Sequence, residues 1–210
     1  MTAKKRILPL FPLPDVVLFP GSPLPLHIFE PRYREMINTC LESDKLFGVL
    51  LYDPSSSQAA SVGSAAEIID CEKLPDGRMN IFTLGRRRFR VVKTIEDKSY
   101  LQGEIEWLED APAGPELNKI TSEVLDYIRD ILRLSSKLTE KDVDIPEDLP
   151  KDPLDLSFWV ASTMYGVLPE DQQALLELQD THGRLTHEAK VLQVTTKFLA
   201  AKSALKDAVG

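Results

Sequence analysis

Apolar positions along this chain change their period near Gly114. Before it they come in short runs broken by proline, glycine and serine; after it they recur every three or four residues. Ile7–Leu13 and Pro23–Phe29 are apolar but crowded with proline. Proline cannot donate to a ladder, so both are predicted as edge strands or as bulged, irregular ones. Pro31–Ser43 reads as a helix, with Pro31 suited to its first position and Tyr33, Met36, Ile37, Cys40 and Leu41 on one face. Leu46–Tyr52 is a compact apolar strand, and Asp53–Ser61, with three consecutive serines, reads as a mobile surface loop. Glu67–Leu74, Met79–Leu84, Phe89–Ile95 and Tyr100–Leu108 complete the strands. Pro75-Asp-Gly makes the first turn among them: proline sets φ, the aspartate bonds its own backbone and glycine accepts positive φ. Short strands on tight turns predict a small barrel or sandwich.

Ala111-Pro-Ala-Gly-Pro is a linker, and helical periodicity follows it. Glu116–Leu138 carries Leu117, Ile120, Val124, Ile128 and Ile131 on one face. An acidic, proline-bearing stretch, Glu140–Asp155, separates it from a helix over Leu154–Tyr165 that Gly166 ends as a C-cap. Pro169 opens a short helix through Leu178, and Thr181 is placed to cap a last one reaching about Lys206. Glu177, Asp180 and Arg184 stand at spacings of three and four, as for pairing on a helix surface. Strands first and helices after predict an α+β protein, with residues 1–112 as a β subdomain bearing one helix and residues 113–210 as a helical subdomain.

Charge sharpens this division. Residues 1–112 hold 14 Lys+Arg against 16 Asp+Glu, and residues 113–210 hold 11 against 17, so most of the net −8 lies in the helical part. That balance argues against tight binding to a phosphate backbone. The concentrated basic segment is Gly85-Arg-Arg-Arg-Phe-Arg. On a regular strand Arg86, Arg88 and Arg90 share a face suited to RNA phosphates, unless nearby Glu96, Asp97, Glu104 and Glu106 pair with them. No apolar run is long enough to span a bilayer, and the basic start, Met-Thr-Ala-Lys-Lys-Arg, runs into prolines instead of a signal-peptide core. The expected location is the cytoplasm.

Chemistry is sparse. No Gly-Lys pair exists to build a phosphate loop, and no Gly-x-Ser-x-Gly elbow occurs. Cys40 and Cys71 form no metal spacing and are expected to be reduced and structural. His27 sits in a proline-rich strand, and His182 and His187 fall on different faces of a helix, so no metal site is expected. Spacing alone does not exclude a Ser-Lys dyad, since such pairs meet only in the fold, but Ser135, Ser136 and Lys137 are adjacent on a helix and point apart, so a solvated helix end is the expected reading. Neither a catalytic residue nor a cofactor is expected.

The opening Leu8–Tyr33, LPLFPLPDVVLFPGSPLPLHIFEPRY, closely resembles the start of the N-terminal domain of Lon proteases, in the form found in stand-alone Lon-domain proteins. Phe47-Gly-Val-Leu-Leu, Val62-Gly-Ser-Ala-Ala-Glu-Ile, and Pro75-Asp-Gly-Arg with Gly85…Arg88-Phe89 follow in the family's order. A second match, Gln173-Ala-Leu-Leu-Glu-Leu-Gln-Asp-Thr-His-Gly-Arg-Leu, resembles a segment of the family's helical part, so the likeness covers about residues 6–200. It implies a PUA-like β-barrel followed by a helical bundle. It also implies a role in selecting and holding protein substrates, without the ATPase and Ser-Lys peptidase domains that follow this region in full-length Lon.

The function expected is thus a non-enzymatic protein- or peptide-binding module, a substrate-recognition or adaptor unit. Its expected partners are unfolded or apolar polypeptide segments, in association with a protease or chaperone; the oligomeric state stays open. Two alternatives stand beside it: a component of an ATP-dependent Lon-type protease, and an RNA-binding PUA-like module. A groove of exposed apolar side chains, or an edge strand that accepts a peptide strand, is the expected means of binding. Leu26, Phe29, Tyr33 and Trp159 are the candidate contacts.

Overall fold

The computed structural model describes residues 6–112, 114–141, 146, 149–164 and 167–209. It runs β1 (Arg6–Pro14), β2 (Pro23–Ile28), α1 (Pro31–Leu41), β3 (Leu46–Asp53), β4 (Gln58–Lys73), β5 (Met79–Ile95), β6 (Gln102–Trp107), α2 (Leu117–Thr139), α3 (Pro153–Thr163), α4 (Pro169–Glu177) and α5 (Thr181–Val209). The expected Gly166 cap, the end of its helix at Tyr165 and the basic residues 1–5 lie outside the described residues. The chain forms two compact units. Residues 1–109 with 161–177 make the first, and residues 110–160 with 178–210 make the second.

The strands of the first unit lie in the order β2-β5-β4-β3-β1-β6, and a further β5–β6 pairing closes five of them into a ring. This is the expected α+β barrel, irregular because β1 and β3 run parallel and bulges interrupt β3–β4, β4–β5 and β5–β6. β2 is an edge, as its prolines predict. β1, predicted as an edge or an irregular strand, instead lies between β6 and β3 and divides its length between them: Arg6–Pro9 pair with β6, and Leu10–Pro14 pair with β3. Alternation explains how it tolerates its prolines. The Leu10 N–H donates toward the β6 side, to the Leu101 carbonyl at 2.8 Å. Pro12 and Pro14 share that parity, so their missing donors face away from β3.

Side chains from all five ring strands fill the interior: Leu8, Leu10, Leu50, Ala65, Phe89 and Ile105. On the outer face Phe11, Phe47, Val49, Ile68 and Ile81 pack with Met36, Ile37 and Cys40 of α1. Burial pushes the Cys40 thiol up to about 12, with Lys98 pulling the other way, so it stays a packed, protonated side chain. Gly85 has no room for a side chain. Its N–H donates to the Ser22 carbonyl at 2.8 Å, and a Cβ would stand 2.1 Å from the Phe19 carbonyl oxygen.

The expected loop at 53–61 is much shorter in the structure, because β4 already begins at Gln58. Asp53 closes the turn, accepting from the Ser55 N–H at 2.8 Å, the Ser55 hydroxyl at 2.6 Å and the Ser56 hydroxyl at 2.7 Å. These bonds hold its carboxyl at about 2. A depressed folded pKa means the turn's gain is complete above the ordinary aspartate range and is lost as pH falls through about 2. Asp53→Ala is expected to speed amide hydrogen exchange at Ser55 and to lower the unfolding midpoint slightly at neutral pH, the difference from the parent fading as pH falls toward about 2. Unchanged exchange would refute this account of the turn.

In the second unit α2 and α5 pack side by side and run parallel. Gln193 Nε2 donates to the Tyr127 hydroxyl at 3.0 Å, and Lys137 pairs with Asp207 at 2.5 Å about three turns further along α2 and four along α5. Asp180, not Thr181, caps α5: its carboxylate accepts the His182 N–H and its carbonyl the Arg184 N–H. The expected surface pairing of Glu177, Asp180 and Arg184 does not form, because the helix breaks at residues 178–180 and Arg184 is buried.

Candidate functional site

The face of β2, β5 and β4 turned away from α1 carries an exposed aromatic surface in the first unit. Along β2 the odd positions point outward, and across β5 the alternation that buries Met79, Ile81 and Thr83 turns Asn80 and Phe82 out. Register sets Pro25 beside Phe82 and His27 beside Asn80; on β5's other side Phe82 meets Asp70, and Asn80 meets Glu72. Ile69 is the extra residue of a bulge between Ile68 and Asp70, and it is exposed there. Phe29, at 61 % exposure, continues the row past the end of β2. The result is a surface about 13 Å long and three strands wide, apolar at Pro25, Phe29, Phe82 and Ile69.

A polar chain crosses its middle. Asn80 Nδ2 donates to Glu72 Oε2 at 3.0 Å, which turns its carbonyl oxygen toward His27 and fixes the His27 proton on Nδ1, 2.7 Å away. The imidazole lies nearly parallel to the Phe29 ring, with centroids 6.3 Å apart. The edge of β2 itself is poorly suited to strand addition. Gly85 donating to Ser22 sets the phase of the ladder, so residues 23, 25 and 27 turn their backbone groups outward, and two of these are prolines without a donor.

The four residues singled out from sequence are spread over different surroundings. Leu26 is half-buried and packs into the α1 core, on the opposite side of β2 from His27. Phe29 is exposed on the aromatic face. Tyr33 packs its ring 4.2 Å from Phe11, with the Arg32 guanidinium 4.5 Å from the Tyr33 ring centroid. Burial raises its phenol above the ordinary range, and Arg32 partly offsets this. Trp159 is half-buried on α3 in the second unit. Phe82 and Ile69 escaped the sequence reading. The alternation Met79–Ile81–Thr83 was available to place Phe82 outside, but nothing in the sequence marks the bulge at Ile69.

The basic run does not form the three-arginine face. Ser64 is paired with Arg88 and Ala66 with Gly85, so β5 carries one more residue than β4 between these points. That bulge separates the arginines. Arg86 binds Glu67 at 2.5 Å, while Arg87 binds Glu109 at 3.1 Å with its guanidinium 4.8 Å from the Trp107 ring. Arg88 is buried and donates to the Leu176 carbonyl at 2.6 Å. Arg6, Arg86, Arg87 and Trp107 line a cleft of about 330 Å³ together with Asp44 and Glu67. Among the described residues no group of three or more His, Cys, Asp or Glu is arranged to hold a metal, and no helix is long and apolar enough to cross a membrane. Ser136 donates to the Lys141 carbonyl and Lys137 pairs with Asp207, so these neighbours point apart.

Residues 7–194 match the family model of the ATP-dependent protease La (LON) substrate-binding domain. Among curated proteins, the Lon protease of Cytophaga hutchinsonii is 26% identical over 208 residues, covering 93% of this chain and 25% of that protein. The Lon protease of Koribacter versatilis is 28% identical over 220 residues, covering 99% of this chain and 27% of that protein. The chain thus spans about a quarter of the length of these relatives. Among solved structures, a Lon N-terminal domain protein from Xanthomonas campestris aligns at TM-score 0.62 and 26% identity, covering 87% of this chain and 96% of that one. The N-terminal domain of a Mycobacterium avium complex Lon protease aligns at TM-score 0.69 and 19% identity, covering 90% and 98%.

Proposed function

This chain belongs to the LON substrate-binding domain family, and on that premise we propose that it binds unfolded or apolar polypeptide segments reversibly, without catalysis of its own. The observation that carries the proposal is the exposed row Pro25, Phe29, Phe82 and Ile69 on three neighbouring strands. Scattered exposed apolar residues are ordinary, but here two exposed aromatic ends flank a polar chain on one face, the mix of apolar and convergent polar groups that suits a binding site. Because Pro23 and Pro25 strip donors from the β2 edge, recognition falls to side chains on the face and not to backbone pairing. The polar chain His27–Asn80–Glu72 supplies a place for a substrate amide between the two aromatic ends. In this reading the module acts in the cytoplasm, as the recognition or adaptor unit of a protease or chaperone system.

Phe29→Ser with Phe82→Ser is expected to weaken binding of a reduced, carboxymethylated unfolded protein about thirtyfold. Each lost ring removes about 1 kcal/mol or more of apolar burial, while the melting temperature holds. Unchanged affinity would reject this face. RNA is expected to leave the resonances of Arg86 and Arg90 in place at physiological salt, since these side chains are separated by the bulge. Shifts there on adding RNA, with none on adding polypeptide, would replace this function with RNA binding.

A further inference from the structure

α5 has two apolar sides, and the fold covers one. Leu185, Ala189, Leu192, Thr196, Leu199 and Ser203 recur at alternating spacings of four and three and are buried or half-buried. In the second half of the helix that inner seam turns small and polar, while its bulkiest apolar residues point outward. Val194, Phe198 and Leu205 are 66%, 66% and 68% exposed. Their spacings of four and seven put them within about 40° of one another around the axis, in a straight stripe about 16 Å long.

The charges beside the stripe are of one sign. Lys190 and Lys197 flank one side and Lys202 the other, all exposed and none in an ion pair among the described residues. The acidic residues of α5 lie elsewhere: Glu188 is buried, and Asp207 is held by Lys137 on the α2 side. A chain with a net charge of −8 therefore presents a basic, apolar stripe. We propose that this stripe docks an acidic amphipathic helix of a partner polypeptide, one that sets large apolar residues at i, i+4 and i+11 between aspartates or glutamates. A straight apolar ridge of this length fits a helix laid alongside it, and the lysines select the sign of its flanks. A second copy docked stripe to stripe would face lysine with lysine.

The test uses the full chain and two labelled helical peptides about 15 residues long, with identical leucine stripes and either glutamate or lysine flanks. The glutamate peptide is expected to bind about tenfold tighter than the lysine peptide, and to weaken as salt is raised. Phe198→Gln with Leu205→Gln is expected to weaken it about tenfold. Lys190→Glu, Lys197→Glu and Lys202→Glu together are expected to invert the preference, with helix content unchanged by circular dichroism. Phe29→Ser with Phe82→Ser should leave this binding intact, which separates the stripe from the sheet face. Equal binding of the two peptides, or indifference to the α5 substitutions, would overturn the proposal. So would dependence on Phe198 of anionic-vesicle binding or self-association while the glutamate peptide fails to bind.

Discussion

Replacing Arg184 by methionine is expected to lower the unfolding free energy by about 3–5 kcal/mol, the scale for removing one partner of a buried ion pair. Arg184 is fully buried and joins four parts of the second unit. Its guanidinium pairs with Asp110 at 2.7 Å, donates to the Ser157 hydroxyl at 2.8 Å and to the Leu178 carbonyl at 2.7 Å, and lies 4.2 Å from the Phe158 ring. The Asp110 carboxylate also accepts from the Thr181 hydroxyl at 2.6 Å. Methionine fills much of the volume but leaves Asp110 buried without its cation and the Leu178 carbonyl without this donor. Asp110→Asn added to Arg184→Met should recover part of the loss, because the uncompensated charge is gone. Urea unfolding of the two single variants and the double variant measures the coupling. A loss below about 1 kcal/mol for Arg184→Met would show that the hub is not what holds these elements together.

One turn further along α5, Glu188 calls for the opposite result: Glu188→Gln is expected to stabilise the protein at neutral pH. Its carboxyl is fully buried, and neither oxygen has a hydrogen-bond partner among the described residues. Burial pushes its pKa from 4.5 up to about 9, with Arg184 pulling the other way. The folded chain therefore holds it protonated at neutral pH while the unfolded chain ionises it. A folded pKa raised above the unfolded one gives stability that is complete below about 4.5 and is progressively lost as pH rises toward about 9. At about pH 7 the penalty reaches roughly 3 kcal/mol, which glutamine avoids because it has nothing to ionise. The stability difference between Glu188→Gln and the parent should vanish near about pH 4 and grow with pH, so unfolding at several pH values isolates it from other groups. A variant less stable than the parent at neutral pH would mean that Glu188 is ionised and paired with Arg184, contrary to this assignment.

Both residues show where sequence reading ran out. Arg184 belongs to the segment Gln173–Leu185 that carries the second family resemblance, and its spacing from Glu177 and Asp180 suggested pairing on a helix surface. Spacing along one element gives neighbours within that element only. The partners that matter, Asp110 and Ser157, are 74 and 27 residues away. Gln173 in the same segment has a still more distant partner, 111 residues away: its side chain donates to the Val62 carbonyl at 3.0 Å, fastening α4 to β4 within the first unit. A boundary read at residue 112 from the change in period does not foresee that a helix after it packs on a strand before it. The arginine run failed for a related reason. Alternation assigns faces only while register is regular, and one extra residue in β5 sends Arg88 beneath α4 and leaves Arg86 and Arg87 at the surface.

What the sequence determined by itself is whatever depends on local chemistry. Proline placed β2 at an edge and opened α1. Pro75-Asp-Gly made its turn, with Gly77 at φ 82 and the Arg78 N–H bound by Asp76. The change from short broken runs to helical period gave strands before helices, and the ordered motifs gave the family. Tertiary structure decided whatever depends on which strand lies beside which. It placed β1 inside the ring, exposed Phe82 and Ile69 on one face, and buried Arg88, Arg184 and Glu188. The physical reason is that backbone propensities act within a few residues, whereas burial and pairing are set by contacts between segments whose separation along the chain carries no signal of their proximity in space.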